Sequence, residues 1–283
     1  MINRFRPGSK YRAPAKINLC LHVTGRRDDG YHLLDSLVVF ADICDWLQME
    51  PGNQMSLAVT GPLAQGVPTD ASNLIWKAAA LFPGHCTTQI TLDKHLPAAA
   101  GIGGGSADAA LTLQMMADLW NEPLPDAAAQ LSLGADVPVC VDGRPIRMQG
   151  IGETLTPIDN MPQLGIVLVN PRVGVPTGPV FQSLTSVDNP GLTRMPNPMT
   201  AAPFLDWLTD QRNDLQAPAI ALCPVVQDVL DALDASGADV TRMSGSGATC
   251  FGLFKNPAEA ASACDALKAR HRNWWISAGR ILD

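Results

Sequence analysis

The sequence has no CxxC pair, no HExxH pair, no excess of basic charge and no apolar run of membrane-spanning length. Each absence narrows what the chain can be. Its seven cysteines (Cys20, Cys44, Cys86, Cys140, Cys223, Cys250 and Cys264) are odd in number and sit mostly in apolar runs, which suits reduced core thiols and a cytoplasmic protein. Its five histidines (His22, His32, His85, His95 and His271) form no helical pair, so a transition-metal site has no support and no metal-ligating residue is assigned. With 20 Lys and Arg against 27 Asp and Glu the net charge is −7, which argues against a nucleic-acid partner or an anionic membrane surface. Any phosphate must therefore be met by local donors. The longest apolar stretches, such as residues 217–226, are interrupted by proline and fall short of the ~20 residues a membrane helix needs. The basic start, residues 1–12, leads into an apolar run that Lys16 and Asn18 interrupt, with no small-residue cleavage site, so no export signal is expected.

Hydrophobic residues make up 46% of the 283, ample for a core, and the length fits one large domain or two of about 140 residues. Ile17, Leu19, Leu21 and Val23 alternate with Lys16, Asn18 and His22, the period of a half-buried strand with one polar face. A charged turn at 25–34 leads to a second strand, for which residues 55–61 read as a hairpin-like partner. Residues 71–82 predict a helix and 87–92 a short strand. After the glycine-rich stretch a helix carries Ala107, Leu111, Met115 and Leu119 on one stripe, followed by a short helix, a turn at Gly134 and a return strand. A hairpin is expected around Gly150 and Gly152, then a strand from Gln163. Pro- and Gly-dense segments near 170–181 and 189–199 mark long loops, and a domain boundary is placed near residue 160, dividing 1–160 from 161–283. Beyond it, two helices at 224–236 and 257–271 flank a strand, turn and strand over 238–254.

The most informative stretch is Gly101, Ile102, Gly103, Gly104, Gly105, Ser106, which follows a strand and opens a helix. Bare amides and the helix dipole bind phosphate in that setting, and glycine lets the main chain come close. It is not a Walker A loop, which needs a Lys absent here, and it misses the last glycine of GxGxxG. Asp108 follows closely, where it reads either as complementing the helix dipole or as holding Mg²⁺ beside a phosphate. Asp136 lies before Pro138, which is expected to stop the preceding helix and leave the carboxylate at a loop edge. Taken alone, Asp136 reads equally as a turn aspartate and Lys16 as a snorkelling edge lysine. A second glycine turn, residues 242–252, fits either a hairpin or a close backbone approach to a ligand.

Four segments, 14–36, 96–110, 133–139 and 242–252, together resemble the galactokinase, homoserine kinase, mevalonate kinase and phosphomevalonate kinase (GHMP) superfamily in content, order and spacing. "GRRDDGYH" (25–32) is similar to the branch acting on a cytidine diphosphate derivative of methylerythritol, and "NDL" (213–215) and "GIGE" (150–153) also fall where that branch has them. The resemblance implies an α+β, two-domain GHMP kinase fold, with an N-terminal ribosomal-protein-like α/β domain and a C-terminal ferredoxin-like domain. It implies ATP, with Mg²⁺ accompanying it, as phosphoryl donor, and a small-molecule cytidine diphosphate derivative as acceptor. Asp136 would be the general base and Lys16 its charged partner. Pro97, Ala98, Ala99, Ala100, Gly101, Ile102, Gly103, Gly104, Gly105, Ser106 and Ala107 would wrap the ATP phosphates. Tyr31 and Phe181 would stack on cytosine, His32 would bond its edge, and Asn18 and Thr177 would line the substrate groove. Ala107 stands where the superfamily usually has a second Ser, and Pro176 replaces the usual small residue before Thr177. The rival readings are a homoserine- or mevalonate-type kinase, a non-catalytic ATP-binding paralogue and a nicotinamide dehydrogenase.

Overall fold

The computed structural model describes residues 5–84 and 87–283, so His85, Cys86 and the first four residues of the basic start lie outside the described residues. The elements in chain order are β1 (Lys10–Arg26), β2 (His32–Pro51), β3 (Ser56–Thr60), α1 (Leu74–Ala79), β4 (Thr88–Asp93), α2 (Gly104–Trp120), α3 (Ala127–Leu133), α4 (Val137–Asp142), β5 (Ile146–Gly150) and β6 (Thr154–Pro157). Then follow β7 (Gly165–Asn170), α5 (Thr177–Gln182), α6 (Ala201–Thr209), α7 (Gln216–Leu222), α8 (Val225–Ala235), β8 (Val240–Met243), β9 (Cys250–Phe254), α9 (Pro257–Arg270) and β10 (Trp275–Arg280). One sheet has the order β3-β4-β2-β5-β6 with β1 also on β2, and the other the order β10-β7-β9-β8, an α+β architecture as expected. The chain forms two compact units, one of residues up to 15, 44–98 and 103–143, the other of 16–43, 99–102 and 144–283.

In the first unit β4 runs antiparallel to the end of β2, with Trp46 opposite Asp93, and parallel to β3, with Ser56 opposite Gln89. The expected hairpin of β3 with β2 is therefore not formed, because β4 lies between them. Helix α2 is apolar and small on most of its circumference, burying Ala107, Ala109, Ala110, Leu113 and Met116 among others, as a helix packed on several sides must. It ends where Asn121 turns left-handed at φ +53°. Asp126 caps α3 by accepting the Ala129 amide at 2.8 Å. The expected return strand after Gly134 is instead α4. Pro138 stands in its first turn, where a missing N–H is harmless, so the proline opens a helix rather than ending one.

In the second unit the first part of β2 pairs with β5, Leu34 opposite Gly150, and β5 makes the expected hairpin with β6. The other sheet is antiparallel throughout, and its two inner strands, β7 and β9, are buried at every residue. Helix α8 covers it with Val226, Val229, Leu230 and Leu233, spaced 3, 1 and 3 apart on one face. In α9 that work falls to Ala260, Ala263, Cys264 and Leu267, with Asn256 capping the helix at the Glu259 amide, 3.0 Å away. Six free thiols (Cys20, Cys44, Cys140, Cys223, Cys250 and Cys264) are described. No helix among the described residues is long and apolar enough to cross a membrane.

Strand β1 departs from the half-buried reading, since Lys16, Asn18 and His22 are as buried as Ile17, Leu19 and Leu21. Its polar face is covered and every polar group on it has to be bonded within the protein. His22 shows the device: Nδ1 faces the Pro190 carbonyl at 3.1 Å and Nε2 accepts the Arg212 amide at 3.2 Å, a pairing only the neutral ring satisfies. Burial and the Arg212 charge hold its pKa below the ordinary value.

Arg242 on β8 binds the same region. Its buried guanidinium donates to the carbonyls of Leu19 at 2.7 Å, Leu208 at 3.0 Å and Gln211 at 2.8 Å, tying β1, β8 and the end of α6 together. Arg242→Met keeps the stem but leaves three carbonyls without their donor, and we expect it to lower stability by about 3 kcal/mol. A lower urea midpoint at unchanged slope is the signature; an unaltered midpoint contradicts this role.

Candidate active site

The glycine-rich stretch alternates unusual backbone. Ala99, Gly101 and Gly103 have φ of +49°, +75° and +62°, a conformation that costs a non-glycine residue about 1 kcal/mol or more and is cheap for glycine. Helix α2 then starts at Gly104, and Gly103, its cap position, has no side chain to occupy the first amides. Those amides are left without a side-chain cap at the positive end of the dipole, the setting in which helix starts bind anions.

Within the second unit, residues 99–102 lie against β1 and the second glycine turn. The Lys16 amide donates to Ile102 O at 2.9 Å and the Thr249 amide to Ala100 O at 3.2 Å. Ser244 Oγ donates to Gly101 O at 2.9 Å and accepts the Asn18 amide at 3.1 Å. A β-carbon on Gly101 would meet Gly247 N at 2.9 Å and overlap the Ser244 carbonyl, so two backbones touch here with no side chain between them. On the other side Asn213 donates from Nδ2 to both Met243 O (2.7 Å) and Gly245 O (2.8 Å), fixing the turn from beneath.

Lys16 is 3% exposed, which rules out the snorkelling alternative. Its Nζ donates to Asn18 Oδ1 at 2.9 Å, Asn18 Nδ2 donates to Ser36 Oγ at 2.8 Å, and that hydroxyl donates to Cys20 O at 2.6 Å. The ammonium is thus held by a chain of fixed dipoles. Asp136 belongs to the first unit, half-buried at the cap position of α4, with no capping bond from its side chain. Ser106, in the first turn of α2, lies beside the same turn: a β-carbon on Gly134 would stand 4.0 Å from Ser106 Oγ. Asp108 falls beyond the first turn of α2, and its carboxylate points inward to Lys94 Nζ at 2.9 Å instead of complementing the helix end.

The residues expected around cytosine also gather in the second unit. His32 and Phe181 have ring centroids 4.9 Å apart and tilted by 31°, while Tyr31 next to them is 63% exposed at the β1–β2 turn. Burial and the Arg26 charge hold the His32 pKa below its usual value. Thr177, the first residue of α5, shares a hydrogen bond of 2.9 Å with Ser246 of the second glycine turn. Helix α5 lies where only a loop was expected. Ser244, Ser246 and the Asn213 amide were not singled out one by one from sequence, although two serines beside glycines within 242–252 and the NDL of 213–215 were the available signal.

The description "GHMP kinases N terminal domain" matches residues 73–144 and "GHMP kinases C terminal" matches 200–273. A curated 4-diphosphocytidyl-2-C-methyl-D-erythritol kinase of Cereibacter sphaeroides is 54% identical over 95% of this chain and 98% of its own length. One from Ruegeria pomeroyi is 53% identical over 95% of this chain and 98% of its own. A crystal structure of 4-(cytidine 5'-diphospho)-2C-methyl-D-erythritol kinase superposes with a TM-score of 0.82 at 34% identity, covering 97% of this chain and 100% of that one. The homoserine kinase of Cytophaga hutchinsonii, at 15% identity, shares the fold alone, with a TM-score of 0.64. The chain belongs to the GHMP kinases, and within them to the family of the 4-diphosphocytidyl-2-C-methyl-D-erythritol kinases.

The contact at Gly101 gives a direct test of this geometry. Gly101→Ala adds a methyl group against two peptide groups at positive φ, and we expect it to lower stability by at least ~2 kcal/mol, read as a reduced melting temperature. Gly178→Ala, where a β-carbon meets nothing within 4 Å, serves as the control. Equal melting temperatures for the two variants contradict the backbone contact.

Proposed function

We infer that this chain transfers the γ-phosphoryl group of ATP to the 2-hydroxyl of 4-diphosphocytidyl-2-C-methyl-D-erythritol, in non-mevalonate isoprenoid precursor biosynthesis. The observation that carries this reading is near-full-length identity, at about half of all positions, to curated kinases of that name. The donor is MgATP, the cation arriving with the triphosphate. The setting is cytoplasmic, in keeping with free thiols. We assign ATP binding and catalysis to residues 1–160 and the substrate side to 161–283, with Asn18, Tyr31 and His32 of the first part also reaching the substrate.

In phosphoryl transfer through a loose transition state the protein does little covalent work, so positioning and charge dominate. The backbone of Pro97 to Ala107 takes the phosphates, with the open amides at the start of α2 as donors. Lys16, held by Asn18, supplies positive charge where the phosphoryl group becomes most electron-rich. Asp136 orients the acceptor hydroxyl and takes its proton late, because a carboxylate is a weak base for an alcohol. Tyr31 and Phe181 stack on cytosine, His32 bonds its edge, and Asn18 and Thr177 line the substrate groove. The neutral form of His32, favoured by its lowered pKa, has both a donor and an acceptor nitrogen for a base edge.

Two measurements test the assignment. With the cytidine substrate, Asp136→Asn should lower kcat on the order of 10²- to 10⁴-fold while the KM for ATP stays within about threefold. Near-normal turnover removes Asp136 from the mechanism. CMP or CDP should raise the melting temperature of the native enzyme. Phosphorylation of mevalonate or homoserine without such protection overturns the cytidine reading.

A further inference from the structure

Beneath the first residue of α2 lies a cluster that the proposed mechanism does not use. Lys94 Nζ donates to Asp45 Oδ2 at 2.5 Å and to Asp108 Oδ2 at 2.9 Å, and all three side chains are no more than 4% exposed. One ammonium faces two carboxyl groups, so with both ionised the cluster carries an uncompensated buried negative charge, an expensive state. A single proton removes it. The hydrogen bonds say where that proton sits. Asp45 accepts from Lys94 on one oxygen and, on the other, from the amides of His95 at 2.5 Å and Leu96 at 2.8 Å. Asp108 receives one N–H donor, Lys94, its carboxyl also meets that of Asp45, and its Oδ1 is buried with no hydrogen-bond partner. Three N–H groups favour the charged form of Asp45, and the orphan oxygen of Asp108 favours the neutral acid.

The cluster also touches the glycine stretch. A β-carbon on Gly104 would stand 3.3 Å from Lys94 Nζ and 3.7 Å from Asp45 Oδ2, so two of the three side chains lie directly against the start of the helix and the third, Asp108, is bonded to Lys94 one turn on. We propose that Lys94, Asp45 and Asp108 form a one-proton triad that positions the first turn of α2 for the ATP phosphates, neutral while it holds its proton and repelling them once the proton leaves. This rests on the reading that the glycine stretch binds ATP. The three are positioning residues; none needs to touch the nucleotide.

The charges acting on Asp108 come from Lys94, just after β4, and Asp45, on β2. The other helices packed on α2 present Ile75, Ala78 and Ala79 from α1 and Val137, Val139 and Cys140 from α4 as their buried residues. Farther along, Asp93 is engaged with Lys10 and His95. Burial, partly offset by Lys94 and reinforced by Asp45, pushes the Asp108 carboxyl up to about 7. Because the unfolded chain ionises this group near the ordinary carboxylate value, its contribution to stability is lost as pH rises from about 4 through about 7.

The test compares the full-length native enzyme with Asp108→Asn, which imitates the protonated acid. Between pH 6 and 8.5 the KM for ATP of the native enzyme should rise on the order of fivefold beyond the part due to ATP's own ionisation, the size expected for one unit charge acting through partly screened surroundings. Asp108→Asn should show only the nucleotide's part. Urea unfolding reads the proton without any ligand: the midpoint of Asp108→Asn should gain on that of the native protein as pH climbs from 5 to 8. Parallel midpoints across that range overturn the shared proton. Diverging midpoints with identical KM profiles overturn its action on the nucleotide. Gly105→Glu separates the underlying reading, because this exposed position has room for a side chain and a carboxylate there opposes phosphate. If Gly105→Glu loses ATP while the KM profiles stay identical, the triad role fails and the ATP site stands; if it binds ATP normally, the ATP site itself fails and the triad role with it.

Discussion

Two glycine turns meet backbone to backbone at Gly101, and the polar architecture around the candidate site depends on that contact. The Gly101 carbonyl receives Ser244 Oγ, the same hydroxyl receives the Asn18 amide, and Asn18 receives Lys16. Interpose one methyl group between the turns and the chain of bonds loses its spacing, since each link is already at hydrogen-bond length. The glycine density of residues 101–105 is thus set from two directions. The proposed phosphate site asks for open amides at the start of α2, and a tight protein contact needs a bare backbone at Gly101.

Such packing explains why β1 carries Lys16, Asn18 and His22 into the interior. A buried polar strand is stable only when each group is bonded: Asn18 Oδ1 takes Lys16, Ser36 Oγ takes Asn18, and for His22 the partners are backbone, Pro190 O and the Arg212 amide. Backbone partners do not rotate away, so they hold direction better than side chains would.

Much of the fold was legible from apolar spacing. Helices α8 and α9, strand β7 and the β5–β6 hairpin follow directly from periods of 3.6 and 2 and from the glycines at 150 and 152. What spacing does not carry is partner choice. Residues 56–60 were strand-like, yet pairing with β4 depends on a segment thirty residues away. Pro138 misled because proline stops one helix and starts another with equal ease, and only the chain on both sides decides. Of the candidate site the glycine stretch stood out by residue type, whereas Asp136, Lys16 and Tyr31 were singled out by the resemblance to the superfamily and not by their own spacing. Its supports did not stand out: Ser244, Asn213 and the Asp45–Lys94 pair look like ordinary turn and strand residues until the fold brings their partners to them.

Charge is the remaining constraint on the proposed nucleotide site. A chain of net charge −7 that is to hold a polyphosphate cannot rely on its overall field and must concentrate positive potential locally. The start of α2 supplies roughly half a unit of positive charge. A full negative charge buried against Gly104 would outweigh it, because the interior screens poorly and the two lie in contact. Lys94 cancels one of the two carboxylates beneath the helix and a proton must cancel the other. Neutrality beneath the glycine stretch is thus as much a condition for anion binding as the amides that face the anion.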